Sequence, residues 1–88
     1  MTEAPPPNDS FKMDFSGFIL SLNTSALIHL GEIPDPQSRE RSVNRPAVKH
    51  TIDILEILSE KTKGNLSDEE HKLLEDVLYD LRLKFLKN

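Results

Sequence analysis

The sequence predicts an all-α fold: a three-helix unit in which the second and third helices form an antiparallel hairpin. Three observations indicate it. Apolar residues recur at helical spacing in three separate stretches, each bounded by capping residues, proline or glycine. A chain of 88 residues has room for one domain. Because it has no cysteine, no disulfide compensates for a small core, and we expect self-association to complete a helical bundle.

Two regions of the chain are predicted. Residues 1–13, which include three consecutive prolines, form a flexible N-terminal segment, and residues 14–88 form a single helical domain. The N-terminus lacks the basic start and apolar run of a secretory signal, so we expect a cytoplasmic protein. The longest apolar stretch, residues 15–30, is interrupted by polar residues and is shorter than the roughly 20 residues of a bilayer span. We therefore expect no membrane association.

The first helix is predicted over residues 14–31, with Asp14 as N-cap and Gly31 at the left-handed C-terminal position. Pro34 prevents its continuation. Apolar residues extend over more than half of its circumference, which is more than one neighbouring face covers. Its main stripe comprises Phe15, Phe18, Ile19, Leu22, Ala26 and Leu30; Leu20 and Leu27 widen the stripe, and Ile28 lies nearly opposite.

The second helix is predicted over residues 45–63, since Pro46 suits a first turn and Gly64 suits a helix end. A proline-containing loop, residues 32–44, connects it to the first helix. The spacing is that of an ordinary amphipathic helix with one buried side. Its expected core residues are Val48, Ile52, Leu55 and Leu58.

The third helix is predicted over residues 67–87, because Ser67 and Glu70 have the spacing of a capping box. The short link to the second helix predicts the antiparallel hairpin. Its expected core residues are Leu74, Val77, Leu78, Leu81 and Phe85, and its expected ion pairs are Asp68 with Lys72 and Asp80 with Lys84.

A second apolar stripe, formed by Tyr79, Leu83 and Leu86, occupies another side of the last two turns of the third helix. Two interpretations are open. Either the first helix covers this stripe, or the stripe is an exposed patch that binds another protein surface.

No catalytic, cofactor-binding or metal site is predicted. The three histidines, His29, His50 and His71, lack a second histidine at a spacing of three or four residues. We expect His29 to bond a backbone carbonyl. Adjacent carboxylates on a helix point about 100° apart and cannot share a pocket. Ser21, Thr24 and Ser25 have no neighbouring base, and close helix packing is the better explanation for them. We therefore expect no enzyme activity, no cofactor and no bound metal.

The charge distribution indicates a protein that does not bind nucleic acid. The net charge is −4, and no segment carries the dense basic patch that phosphate contacts require. Four basic residues lie around the loop: Arg39, Arg41, Arg45 and Lys49. They could form a local anion site, but no aromatic residue is interleaved with them, and we favour a solvated loop.

Two segments carry a family resemblance: FSGFILSLNTSALIHLGEIPDP and TIDILEILSEKTKGNLSDEEHKLLEDVLYDLR. The more specific motifs are Leu30-Gly31 with Pro34 and Pro36, and the run from Lys61 to Leu66. On these residues the chain resembles, from Phe11 to Lys84, the small bacterial family catalogued as domain of unknown function 1844. The resemblance implies a bacterial origin and a compact helical domain. It implies no reaction, substrate or catalytic residue.

The functional hypothesis is a non-catalytic interaction or structural module that self-associates, most simply as a two-fold dimer. It depends on there being more apolar helix surface than one copy buries. The alternative is an adaptor that presents the same surface to a different protein, and a third possibility is a small metal-binding or ligand-binding protein or enzyme that uses His29. The candidate interface residues are Phe18, Leu20, Leu27, Ile28, Tyr79, Leu83 and Leu86.

Overall fold

The structure, a computed structural model, describes residues 13–87. These residues form α1 (Phe15–His29), α2 (Arg45–Lys61) and α3 (Asp68–Lys87), with no strand among them. Each helix contacts the other two. The predicted all-α, three-helix fold is therefore confirmed. The predicted flexible segment lies, apart from Met13, outside the described residues.

Side chains cap the N-termini of α1, where Asp14 was the predicted cap, and of α2. The Asp14 carboxylate accepts a hydrogen bond from the backbone N–H of Gly17 at 2.7 Å. The Asn44 side chain accepts one from the N–H of Ala47 at 3.2 Å. Pro46 lies in the first turn of α2, where a missing N–H removes no intrahelical bond. Each cap satisfies a donor that the helix itself leaves unpaired.

The capping box of α3 is formed in both directions. The N–H of Glu70 donates to the Ser67 hydroxyl at 3.1 Å, and the N–H of Ser67 donates to the Glu70 carboxylate at 2.9 Å. The predicted pair of Asp68 with Lys72 is wrong, because Lys72 instead donates to Asp76 at 2.9 Å. Both carboxylates lie four residues from Lys72, and only Asp68 lies in the first turn, where unpaired backbone N–H groups also attract a carboxylate.

The C-terminus of α1 closes through Gly31, which has a φ of 82°. The N–H of Gly31 donates to the carbonyl of Ile28, and the N–H of Glu32 donates to that of Leu27, both at 3.0 Å. This pair of bonds is a Schellman motif, which requires the left-handed conformation that glycine adopts without strain. The α-helix ends at His29, two residues before the predicted bound, because the last two residues belong to this closing turn.

The link between α2 and α3 also turns at a glycine, Gly64, with a φ of 81°. The α-helix ends at Lys61 rather than at the predicted residue 63. The following turn is closed by the N–H of Asn65, which donates to the carbonyl of Thr62 at 2.8 Å. The tight turn leaves no room for a third element between the two helices.

Contacts between α2 and α3 run in opposite directions along the two helices, which establishes the antiparallel hairpin. Near the turn, the Ser59 hydroxyl donates to the Glu75 carboxylate at 2.9 Å. Midway, Arg82 pairs with Glu56 at 2.9 Å. The loop that joins α1 to this hairpin is fixed at its end by the N–H of Asn44, which donates to the carbonyl of His29 at 2.8 Å.

The core lies where the three helices meet. It contains ten buried apolar residues: Ile19, Ala26, Leu30, Val48, Ile52, Leu55, Leu74, Val77, Leu78 and Leu81. All ten were predicted to be apolar core positions. Thr51 is also buried, which its polarity did not predict; its hydroxyl donates to the carbonyl of Ala47 at 3.2 Å and so remains satisfied. Phe18, which belongs to the main apolar stripe of α1 and is also a predicted interface residue, is 39% exposed, because it lies at the edge of the buried side of α1.

An ion-pair cluster links the end of α3 to the residues that follow α1. The ammonium of Lys84 lies 3.0 Å from Asp80, as predicted, and 3.8 Å from Glu32. The hydrogen bond to Asp80 raises the pKa of Lys84 above its ordinary value, and burial opposes this shift. Because all three side chains are partly solvated, the cluster contributes little to the stability of the fold.

We expect Leu55→Ala to lower the free energy of unfolding by about 2–5 kcal/mol, since Leu55 is fully buried and alanine leaves a cavity. Ile57→Ala is the matched control, two residues away on the same helix at a side chain that is 58% exposed. Its expected effect is within about 0.5 kcal/mol. Urea unfolding followed by circular dichroism measures both, at one protein concentration. Equal losses in the two variants would contradict the assigned core.

Candidate interaction surfaces

The side of α1 that faces away from the hairpin, which we name the outer face of α1, carries small and apolar residues. Ile19 and Ala26 lie on the opposite side and are fully buried against the hairpin. Positions three, four and seven residues apart share a helix face, which defines the members of this surface. Along its centre lie Gly17, Ser21, Thr24 and Ile28, and at its two edges lie Phe18 and Leu20.

The outer face of α1 carries no charge. From Phe15 to Ile28 the helix has no ionisable side chain. By contrast, the exposed side of α2 carries the pair of Lys49 with Asp53, with a nitrogen–oxygen distance of 2.7 Å. Such pairs keep the exposed sides of α2 and α3 hydrated, whereas the outer face of α1 has an ionic group only beside its N-terminal end, where the Asp14 carboxylate lies next to Gly17.

Four predicted interface residues belong to α1, and they differ in how exposed they are. Phe18 is 39% exposed and Leu20 is 49% exposed, so both remain available to a partner. Leu27 packs against the core and is only half-exposed. Ile28 is also half-buried. The accessible apolar contribution of α1 therefore comes chiefly from the two edge residues.

The second predicted stripe, which we name the α3 stripe, is exposed. Tyr79 is 67% exposed, Leu83 is 42% exposed and Leu86 is 79% exposed. The interpretation in which the first helix covers this stripe is therefore wrong. The reason is geometric: α1 packs on the other side of α3, where Lys84 extends toward Glu32.

A shallow apolar groove lies beside the α3 stripe, between α2 and α3. Its volume is about 240 Å³, and its lining comprises Lys49, Ile52, Glu56, Arg82, Phe85 and Leu86. Leu86 thus belongs to both the groove and the α3 stripe. Because Arg82 in the same groove pairs with Glu56, this surface is on the α2 side of α3. The outer face of α1 and the α3 stripe are therefore two separate surfaces.

The polar residues of α1 are placed without a catalytic partner. The Ser21 hydroxyl donates to the carbonyl of Phe18 at 2.7 Å, which is a common arrangement for a helical serine. The Nδ1 atom of His29 and the Oδ1 atom of Asn23 are buried without a hydrogen-bond partner. The carbonyl bond that we expected of His29 is thus not made by Nδ1. Within residues 13–87, no group of three or more histidine or carboxylate side chains could hold a metal ion.

A polar cavity at the hairpin turn was not predicted from the sequence. Its volume is about 450 Å³, and it is lined by Ser59, Thr62, Lys63, Gly64, Leu66, Asp68, His71 and Glu75. The Ser59 hydroxyl donates to Glu75 across it at 2.9 Å. His71 and Glu75 are four residues apart, which places both on one face of α3. The residues that α2 adds to the cavity cannot be identified from the sequence, because they depend on the register of the hairpin.

The four basic residues around the loop do not form one anion site. The guanidinium of Arg45 lies 4.1 Å from the centre of the Phe85 ring, and Arg45 donates to the Phe85 carbonyl at 2.9 Å. Lys49 is paired with Asp53. Arg39 and Arg41 are exposed on the loop. Arg45 therefore joins the start of α2 to the end of α3, a role that the sequence did not indicate.

These features define a small all-α domain in which a hairpin supports a third helix and two separate apolar surfaces remain exposed. The chain belongs to the family described as Domain of unknown function (DUF1844), whose model matches residues 12–87. The resemblance inferred from the sequence is thus confirmed. No curated protein and no solved structure matches the chain. Over the described part of the chain, the helices are too short or too polar to cross a bilayer.

We expect Arg45→Lys to lower the free energy of unfolding by about 1 kcal/mol. Lysine keeps the charge but loses the planar group that both stacks on Phe85 and donates to its carbonyl. Arg41→Lys, at an exposed loop position, is the control and is expected to change stability by less than about 0.5 kcal/mol. Urea unfolding of both variants measures the two changes in free energy of unfolding. If Arg45→Lys has the same free energy of unfolding as the parent, Arg45 does not stabilise the junction between the start of α2 and the end of α3.

Proposed function

We propose that this protein is a non-catalytic interaction module that self-associates, most simply as a two-fold dimer. The observation that supports this most directly is the outer face of α1, which is uncharged and leaves Phe18 and Leu20 exposed at its edges. Exposed apolar surface of this kind typically marks an interaction site in a small protein. A second copy supplies an equivalent surface and so covers both at once.

The expected association is weak. Fully burying a leucine or phenylalanine side chain contributes about 1.5–3 kcal/mol, and Phe18 and Leu20 are already half-covered. Four such side chains in a symmetric pair contribute roughly 4 kcal/mol, which is near the lower limit of the cost of association. The rest of the outer face must contribute the additional free energy that makes association favourable. We therefore propose a reversible dimer whose population depends on concentration.

A second candidate function is an adaptor, and one observation favours it. The α3 stripe and its groove lie away from the outer face of α1, so a dimer formed through α1 leaves Tyr79 and Leu86 available. A different protein could bind there without competing with self-association. The double substitution Tyr79→Ser and Leu86→Ser separates the two functions, because it removes this surface and keeps the outer face of α1.

The proposal also covers activities that we expect the protein to lack, and its location in the cell. We propose that the module has no catalytic activity and binds no nucleic acid, which the net charge of −4 supports. The bacterial source and the cytoplasmic location stay predictions from the sequence. In the hairpin-turn cavity the Ser59 hydroxyl donates a hydrogen bond to the Glu75 carboxylate, and among residues 13–87 no other side chain bonds to Ser59, so its surroundings do not suggest a nucleophile.

We expect the full chain to approach twice its 10.0 kDa mass as its concentration rises, when followed by sedimentation equilibrium. Thr24→Glu should raise the dissociation constant at least about tenfold, because a dimer through the outer face of α1 would bury a carboxylate from each copy. Gln37→Glu adds the same charge on the exposed loop and is expected to leave the dissociation constant unchanged.

A mass of one chain at every concentration would refute self-association. Equal weakening by Thr24→Glu and Gln37→Glu would show a general charge effect and would remove α1 from the interface. Circular dichroism of both variants checks that their helix content is that of the parent, and Thr24 is exposed, so we expect the fold to survive.

A further inference from the structure

The shallow apolar groove and the hairpin-turn cavity lie on one line along the hairpin. Neither lining includes a residue of α1. Positions three, four or seven residues apart share a helix face, and the lining residues of each helix follow this spacing. On α2 they include Lys49, Ile52, Glu56, Ser59 and Lys63, and on α3 they include Asp68, His71, Glu75, Arg82 and Leu86. The two depressions are therefore parts of one surface, which we name the hairpin seam.

We propose that the hairpin seam binds a segment of a different protein that carries a large apolar side chain and, about 16 Å away, lysine or arginine. The apolar side chain enters the groove beside Leu86, and the basic side chain enters the hairpin-turn cavity beside Glu75. These two residues are eleven positions apart on α3, which gives the distance. The inference rests on the adaptor function proposed above as the second candidate, and it names the chemistry of the partner.

The carboxylates of the cavity lack a cation of their own. Among residues 13–87, neither Asp68 nor Glu75 forms an ion pair. The one ammonium group in the lining, that of Lys63, lies 3.9 Å from Glu60. This end of the seam is therefore acidic, and its charge is complementary to that of a basic side chain.

The hydrogen-bonding groups of the cavity wall are mostly acceptors. The Ser59 hydroxyl donates to Glu75, and the Thr62 hydroxyl donates to the carbonyl of Leu58 at 2.6 Å. Each hydroxyl oxygen keeps lone pairs that can accept a bond, and a carboxylate only accepts. Lysine and arginine side chains only donate. A basic side chain therefore fits this wall, whereas a carboxylate or phosphate group would meet few donors.

The cavity suits a basic side chain better than a metal ion. Within residues 13–87, no three carboxylate or histidine side chains are placed to hold a metal ion. The cavity volume of about 450 Å³ lies within the roughly 300–1,000 Å³ of pockets that hold small organic groups. The stem of a lysine or arginine can contact Leu66 in the lining while its charged head bonds to the polar wall.

The other end of the seam is apolar, and its charges are balanced. Its lining includes Ile52 and Phe85, and Leu86 beside them is 79% exposed. The ionic side chains at its edge already pair within the chain: Lys49 with Asp53 at 2.7 Å, and Arg82 with Glu56 at 2.9 Å. An apolar side chain therefore enters without leaving a charge unpaired, and it covers Leu86.

A second copy of this chain is a poorer occupant of the seam. It has the same net charge of −4, so the acidic end would face a partner of like charge. Three basic side chains on the exposed sides of its helices, Lys49, Lys72 and Arg82, already pair with carboxylates of their own chain. A basic segment of a different protein has the opposite charge and brings donors that are free to bond.

A synthetic helix of about 20 residues tests the seam. It carries two lysines seven residues apart, to reach Asp68 and Glu75, and a leucine eleven residues beyond the second lysine, to reach Leu86. The other positions are alanine and glutamine, and the peptide is made in both sequence orders because the seam does not fix its direction. The matched control peptide has glutamine at both lysine positions. Fluorescence anisotropy of the labelled peptides measures binding to the full chain.

Three variants of the full chain locate the binding site. Glu75→Gln removes a charge from the cavity but keeps an oxygen that accepts the Ser59 bond, and we expect it to weaken binding of the lysine peptide at least about fivefold. Leu86→Ser removes the apolar contact and is expected to weaken binding at least about tenfold. Glu69→Gln is the control, because Glu69 is exposed on α3 outside both linings, and we expect a change within about twofold. Circular dichroism checks that each variant keeps the helix content of the parent.

The supporting result is binding of the lysine peptide that Glu75→Gln and Leu86→Ser weaken and that Glu69→Gln does not. Equal weakening by Glu75→Gln and Glu69→Gln would show a general attraction between charges and would overturn the inference. Equally tight binding of the glutamine peptide would also overturn it, and would leave an adaptor function of the α3 stripe intact. Absence of binding by the lysine peptide would overturn the partner chemistry.

Sedimentation equilibrium of Leu86→Ser without peptide tests whether a second copy occupies the seam. We expect the same dissociation constant as for the parent, because the proposed dimer forms through the outer face of α1. A weakened dimer would show a second copy in the seam and would overturn this inference. A parent chain that is monomeric at every concentration would refute self-association and would leave the peptide result standing.

Discussion

The hairpin of α2 and α3 covers only one side of α1, and this constraint governs the rest of the molecule. Ile19 and Ala26 face the hairpin and are fully buried. Two neighbouring helices on the same side cannot also enclose residues that point about 100° away, such as Phe18 and Leu20. Since α1 has no ionic side chain from Phe15 to Ile28, its uncovered side differs from an ordinary hydrated helix face, and this difference supports the proposed self-association.

The uncovered surface is held in place by contacts that gather at one end of the unit. The carbonyl of His29 accepts the N–H of Asn44, Lys84 of α3 extends toward Glu32, and Arg45 joins the start of α2 to Phe85. These contacts fix where α1 ends relative to the hairpin. The outer face of α1 is therefore presented by a supported helix and not by a loosely attached one, which reduces the ordering cost of binding.

Local signals in the sequence predicted most of the fold. Asp14, Ser67 and Gly31 act through neighbours within five residues, so their roles are visible in the order of residues alone. The surfaces were predicted less well, because they depend on which side of each helix the others cover. Periodicity could not show that α1 lies away from Tyr79, nor that Ser59 meets Glu75 across the hairpin. Periodicity placed Phe18 in the main apolar stripe of α1 but could not show that it lies at the edge of the buried side.

The central claim is that the outer face of α1 is covered only when a second copy binds. Backbone amide chemical shifts over a dilution series of isotope-labelled protein test it most directly, because each residue reports on its own surroundings. We expect concentration-dependent shifts at Ser21 and Thr24, with the amides of Tyr79 and Leu86 unchanged. Spectra that are identical at all concentrations, or changes confined to the α3 stripe, would contradict the account.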